Sequence, residues 1–232
     1  MKNLFLKLSI LFFMMTASGQ SQDWPNFERF REANKKVGFP AKNENRVVFM
    51  GNSITQGWID YGNPELFSEN PFINRGISGQ TTPQMLVRFR ADVIALQPKA
   101  VVILAGINDI AGNTGESTIE MIQDNLISMV QLAQTNNIKV ILSSILPANK
   151  FTWRPEVYPV DKVIAMNEFI KNYAEENNCI YINYYSPMVD DEKGLKIEYS
   201  EDGVHPNKAG YAVMTPLVLE AIRKALEVKK EY

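Results

Sequence analysis

Four short runs rich in apolar residues, at 46–50, 100–105, 138–143 and 179–183, constrain the fold of this chain more than any other feature. A strand with one wet face alternates apolar and polar residues, whereas an unalternating run suits a strand covered on both sides. A fifth run at 72–74 is shorter and weaker. Longer stretches with apolar residues at helical spacing separate these runs. Strand and helix in repetition build a parallel sheet with helices on both faces. The expectation is an α/β fold of about five parallel strands. Such folds place their chemistry at the carboxyl ends of the strands, so the loops there are the ones to search.

The intervening helices carry end signals. Thr82-Pro83 reads as an N-cap followed by proline at the first helical position, with Met85, Phe89, Val93 and Leu96 recurring behind it. Ser117-Thr118-Ile119-Glu120 has the pattern of a capping box, and Ile122, Leu126, Met129 and Ala133 form the apolar stripe that follows. Asp161 is placed to cap a third helix bearing Ile164 and Ile170. Pro206 can start the last helix, whose buried face would be Tyr211, Met214, Val218 and Ile222. Arg223, Lys224, Lys229 and Lys230 then gather where a helix dipole favours positive charge. Residues 23–38 suggest an extra helix outside the sheet. The loop 147–159, with Phe151, Trp153, Arg154 and Tyr158, should overhang the edge where the chemistry lies.

The 232 residues suit one domain, and 45% apolar with 22% charged residues allows a real core. A net charge of -2 gives no electrostatic reason to expect nucleic acid or an anionic membrane as partner. The N-terminus reads as a targeting segment. Lys2 and Lys7 supply charge, residues 8–15 an apolar run, and Ala17 and Gly19 a small-residue cleavage site before Gln20. That run falls short of the roughly 20 residues that span a bilayer, and no cysteine follows it directly, so a retained anchor is not expected. Residues 1–19 are read as a signal peptide, 20–232 as one domain, and the protein as exported, periplasmic or secreted. Cys179 stands alone and in a strand-like run, as a buried structural thiol would. One His and one Cys also argue against the usual zinc ligand sets.

Four loops hold unusual polar residues. Gly51-Asn52-Ser53-Ile54-Thr55 follows the first strand directly, where glycine permits a sharp turn. Ser53 there is either a helix cap or a nucleophile, and the segment alone does not decide. It is not the Gly-x-Ser-x-Gly elbow, since Thr55 fills the last glycine position. Asp202-Gly203-Val204-His205-Pro206 holds the chain's one histidine. A serine hydroxyl needs a neutral imidazole to take its proton, and that imidazole needs a carboxylate to set its tautomer. Asp202 and His205 can supply both from one loop. Gly76-Ile77-Ser78-Gly79 and Gly106-Ile107-Asn108-Asp109 offer backbone N–H groups and a carboxamide, the kinds of donor that stabilise an oxyanion.

Taken together, these four blocks resemble the SGNH hydrolases, also called GDSL-like esterases. Gly51-Asn52-Ser53-Ile54 is similar to the family's Gly-Asp-Ser-Leu, with Asn for Asp and Ile for Leu. The Gly76, Gly106 and Asp202 blocks resemble the second, third and last blocks in order, across nearly all of the chain after residue 19. The resemblance implies a three-layer, flavodoxin-like fold without metal or organic cofactor. It implies Ser53 as nucleophile, His205 as base and Asp202 as its orienting carboxylate. The oxyanion hole would be the N–H groups of Ser53 and Gly79 with the side chain of Asn108; Asp109 would brace its loop.

The activity expected is hydrolysis of short acyl esters, acetyl esters of carbohydrates in particular. A lysophospholipase or thioesterase of the same family is the nearest alternative, separable by rates on acetyl and long-chain esters. A non-catalytic carbohydrate-binding or scaffold domain would be inert to fluorophosphonates. A glycosidase built on Asp109 and Asp202 would leave Ser53 and His205 without a role.

Overall fold

The unalternating runs form strands; the central ones are sealed on both faces, whereas the run at 179–183 gives an edge strand that is only half-buried. The computed structural model describes residues 23–227, so the expected signal peptide and the lysines at 229 and 230 lie outside the described residues. Its strands are β1 (Val47–Gly51), β2 (Phe72–Gly76), β3 (Ala100–Leu104), β4 (Lys139–Ser143) and β5 (Ile180–Ile182). They pair in parallel in the order β2-β1-β3-β4-β5. Every residue of β1 and of β3 is buried, which explains why neither run alternates.

The helices are α1 (Glu28–Val37), α2 (Ser53–Gly57), α3 (Glu65–Ser68), α4 (Thr82–Asp92), α5 (Ile107–Ile110), α6 (Ile119–Thr135), α7 (Val160–Glu176), α8 (Tyr185–Met188) and α9 (Lys208–Leu226). Helices α4, α6 and α7 pack side by side on one face, and α9 crosses β3, β4 and β5 on the other. These are the three layers expected. As expected too, α1 is an outer helix: it has no buried residue and rests against α4.

Apolar stripes place the long helices. Ile122, Leu126, Met129 and Ala133 of α6 and Tyr211, Met214, Val218 and Ile222 of α9 are all buried. Helix starts depart from expectation for reasons of local hydrogen bonding. Thr82 is not the cap of α4, because its N–H and hydroxyl are spent on Asp109. Thr81 takes the cap instead, with its N–H donating to Gln84 Oε1 at 3.1 Å. Helix α6 is capped by Thr118, whose hydroxyl accepts from Met121 N–H, so Glu120 stands one residue early for a capping box. Asn207 caps α9, leaving Pro206 before the helix. Pro216 lies inside α9, a position with no amide proton to donate.

Helix α7 begins at Val160 after Pro159, and Asp161 lies within its first turn rather than capping it. That phase turns Val163, Met166, Ile170 and Ala174 inward. Ile164 is rotated about one residue away from this stripe and is 42% exposed.

The core stripe and the outward face therefore differ in what truncation costs. Met129→Ala is expected to destabilise the protein by about 2–5 kcal/mol, and Ile164→Ala by no more than about 0.5 kcal/mol. Urea titration of both variants checks the difference.

Candidate active site

Strand register sets the frame of the site. Gly51 at the end of β1 pairs with Gly76 of β2 and Leu104 of β3, so the loops after these three strands start level. The sheet reverses its direction of growth at β1, between β2 and β3, and a crevice opens at the carboxyl ends of such strands.

The first loop turns tightly because of what Gly51 lacks. A Cβ there would lie 2.0 Å from Thr55 Oγ1 and 2.7 Å from the Leu104 carbonyl oxygen. With that space free, α2 folds back on the strand end. Asn52 Oδ1 accepts from Ile54 N–H at 3.0 Å and caps α2. Capping thus falls to Asn52, and Ser53 is the first helical residue, with its side chain free for another partner. That partner is His205: Ser53 Oγ lies 2.8 Å from Nε2. Asn52 Nδ2 is buried and has no hydrogen-bond partner among the described residues.

The last loop is closed by a bridge between Ser200 and Pro206. Asp202 Oδ1 accepts from Val204 N–H at 2.9 Å and His205 N–H at 2.8 Å. Its Oδ2 lies 2.6 Å from His205 Nδ1. Partial burial opposes charge on Asp202, but the His205 N–H, the imidazole and the Val204 N–H outweigh it and hold the carboxyl below its ordinary value. An ionised carboxylate can only accept, so the Nδ1 position carries the proton and Nε2 is left to accept from the Ser53 hydroxyl. The His205 and Asp202 side chains are 41% and 39% exposed, so the relay is open to a substrate.

The second and third loops are bound to each other. Asn108 Nδ2 donates to the Gln80 carbonyl at 2.9 Å, and Asn113 Nδ2 to the Gly79 carbonyl at 3.2 Å. Gly79 has a φ of +78° and is exposed, and no acceptor among the described residues takes its N–H. Asp109 receives the Thr82 N–H on both oxygens at 3.0 Å and the Thr82 hydroxyl at 2.5 Å. Asp109 is buried, ties α5 to α4, and makes no hydrogen bond to the imidazole relay among the described residues. That leaves a carboxylate pair of Asp109 and Asp202 without geometric support.

One bracing residue escaped the sequence reading. The Arg88 guanidinium is fully buried. Its Nε donates to Gln80 Oε1 at 2.6 Å, its Nη2 to the carbonyls of Gly51 at 3.1 Å and Arg75 at 2.8 Å, and its Nη1 to Asp92 at 2.9 Å. The only sequence clue is that Arg88 sits within the apolar stretch of α4, three residues after Met85 and next to Phe89.

The loop 147–159 divides by function. Phe151 is buried and belongs to the core, so it cannot hold a ligand. The Trp153 ring lies 5.2 Å from Phe151 and 6.2 Å from the His205 ring. Arg154 Nη2 donates to the Gly112 carbonyl, and Tyr158 points to solvent. Cys179 is half-buried rather than fully buried, and desolvation pushes its thiol up to about 11, which keeps it protonated. Among the described residues no helix is long and apolar enough to cross a membrane.

Residues 49–213 match the sequence model of the GDSL-like Lipase/Acylhydrolase family. The fold resembles the crystal structure of a GDSL-like lipase from Bacteroides thetaiotaomicron, with a TM-score of 0.86 and 47% identity over 88% of this chain and 100% of that one. The sequence is 28% identical to an acetylxylan esterase of Xylanibacter ruminicola over 82% of this chain and 45% of that protein, so it spans about half the length of that relative. It is 26% identical to the platelet-activating factor acetylhydrolase IB subunit alpha2 of Homo sapiens, over 80% of this chain and 79% of that protein.

Burial pushes the Asp109 carboxyl up from 3.8 to about 6, against the donations from Thr82. The folded protein therefore binds this proton more tightly than the unfolded chain. Above pH 6 the folded state carries a buried charge, and stability is regained as pH falls through about 6 toward 4. Wild-type Tm, measured relative to that of Asp109→Asn, is expected to improve on going from about pH 7.5 to about pH 5. A gap independent of pH would show that this carboxyl does not titrate in that window.

Proposed function

The chain belongs to the GDSL-like lipase/acylhydrolase family of SGNH hydrolases, and from that premise we propose that it is an exported serine esterase that removes acetyl groups from carbohydrates. The observation that carries the reading is the unbroken chain of 2.8 Å and 2.6 Å contacts from Ser53 through His205 to Asp202. Each member supplies what the next requires. Ser53 Oγ attacks the ester carbonyl while His205 Nε2 takes its proton. Asp202 holds the imidazole in the tautomer that can accept, and stabilises the imidazolium that forms. The oxyanion is met by the N–H groups of Ser53 and Gly79 and by the Asn108 carboxamide, preorganised by the Gln80 and Asp109 contacts. The alcohol departs with the proton from Nε2. Water then attacks the acyl-enzyme with His205 again as base.

Preference for acetyl is supported by the two relatives, whose names both specify an acetyl ester. Carbohydrate as the alcohol follows the acetylxylan esterase relative and the expected export. The export reading rests on Lys2, Lys7, the apolar run at 8–15 and the small residues before Gln20.

Four measurements test this. Ser53→Ala and His205→Ala are each expected to lower kcat on acetyl esters by at least about 10⁴-fold while Tm is kept; full turnover by Ser53→Ala would sink the mechanism. Asn108→Ala is expected to lower kcat by about 10²–10³-fold. For substrate and localisation, acetate should be released from acetylated xylan, and the N-terminus of the exported protein should be Gln20.

A further inference from the structure

A cleft of about 380 Å³ opens beside Asp202 and His205 and is walled by Tyr61, Glu201, Asn207 and Lys208. Its size falls in the range of small-ligand sites. Ser53, Gly79 and Asn108 do not line it. It touches the relay at the imidazole, which hands the proton to the departing alcohol, and not at the oxyanion donors. In chemical order this is the side of the alcohol, not of the acyl group.

The wall has the character of a polyol site. It offers a carboxylate, an ammonium and one phenol ring, with Pro206 as its single aliphatic residue; the Asn207 carboxamide is spent on the Gly210 N–H and the Glu198 carbonyl. Such a surface can hydrogen-bond hydroxyl groups and stack one ring face.

Tyr61 is presented by an irregular segment. Helix α2 runs straight into a π-helical turn, Trp58–Gly62. Turns of this kind are rare and occur frequently at functional sites. This one is clamped from below. Trp58 is buried, with its ring 5.0 Å from that of Tyr211. Gly62 packs so closely on Tyr211 that a Cβ would lie 2.6 Å from Cγ. Tyr211 Oη donates to the Ile54 carbonyl at 2.8 Å. On the other side Gln56 Nε2 donates to Asp60 at 2.8 Å, and Gln56 Oε1 accepts from Ser78 N–H at 3.1 Å. The turn is fixed, yet the Tyr61 side chain it displays is 72% exposed. An aromatic side chain with few rotatable bonds on a fixed backbone loses little entropy when a flat ligand face covers it.

We infer that this cleft is the subsite for the alcohol part of the substrate, a carbohydrate ring that stacks on Tyr61 while Glu201 and Lys208 bond its hydroxyls. The inference rests on the esterase reading above, and its test is made separable from that reading. Mono-O-acetylated xylotriose is titrated calorimetrically into Ser53→Ala protein, which binds without turnover. Adding Tyr61→Ala is expected to weaken binding about tenfold, and adding Tyr61→Phe instead to restore it to within about twofold. Equal affinity with and without Tyr61→Ala would overturn the subsite. So would a Phe variant as weak as the Ala variant, or a Ser53→Ala parent that does not bind the saccharide. Failure of the esterase reading appears elsewhere, as absence of acetate release by the wild-type protein.

Discussion

Arg88 is sealed inside the protein, and its guanidinium reaches four partners at once. It donates to the carbonyl ends of β1 and β2, to the side chain of Gln80 in the second loop, and to Asp92 within its own helix. A buried cation is tolerated only when its donors are met, and burial pushes Arg88 downward against the pull of Asp92. The geometry that satisfies the charge also locks the loops of the site to each other. Gln80 passes the constraint on, because its carbonyl takes the Asn108 amide. The turn that carries Ser53 and the loop that carries Asn108 thus share one anchor. Asp92 extends it outward through Asn34 of α1, whose Oδ1 accepts from Arg75.

Local rigidity of a different kind governs the last loop. Asp202 fixes its own turn with one oxygen and meets the imidazole with the other. The loop therefore presents His205 without help from the sheet. What it needs from the fold is only to be delivered to the end of β1, and α9 does this by packing its start against the turn that follows α2. Two separately stiffened pieces then meet at the 2.8 Å contact between Ser53 and His205.

Much of the architecture was legible because burial leaves a mark on composition. Strands covered on both faces cannot alternate, and the inward stripes of α6 and α9 recur at helical spacing. Helix starts were less legible, since a cap depends on which local group is still free. Thr82 looked like a cap until Asp109 claimed its N–H. The third helix carries both Ile164 and Ile170, as expected, but its phase turns only Ile170 inward. Phe151 belongs to a loop expected to overhang the site, yet it is core, and nothing in the order of residues separates a core aromatic from one that lines a cleft.

The sequence by itself determined the strand and helix order, the position of reactive residue types at strand ends, and the pairing of Asp202 with His205. These follow from periodicity and from contacts a few residues apart. Tertiary structure decided the rest: that Asn52 caps α2 and frees Ser53, that Ser53 and His205 meet across 152 residues, that Arg88 is the buried anchor, and that Tyr61 stands exposed in a cleft that His205 also lines. Each of these depends on which distant groups the packed sheet brings within hydrogen-bonding reach, and a linear pattern holds no measure of that distance.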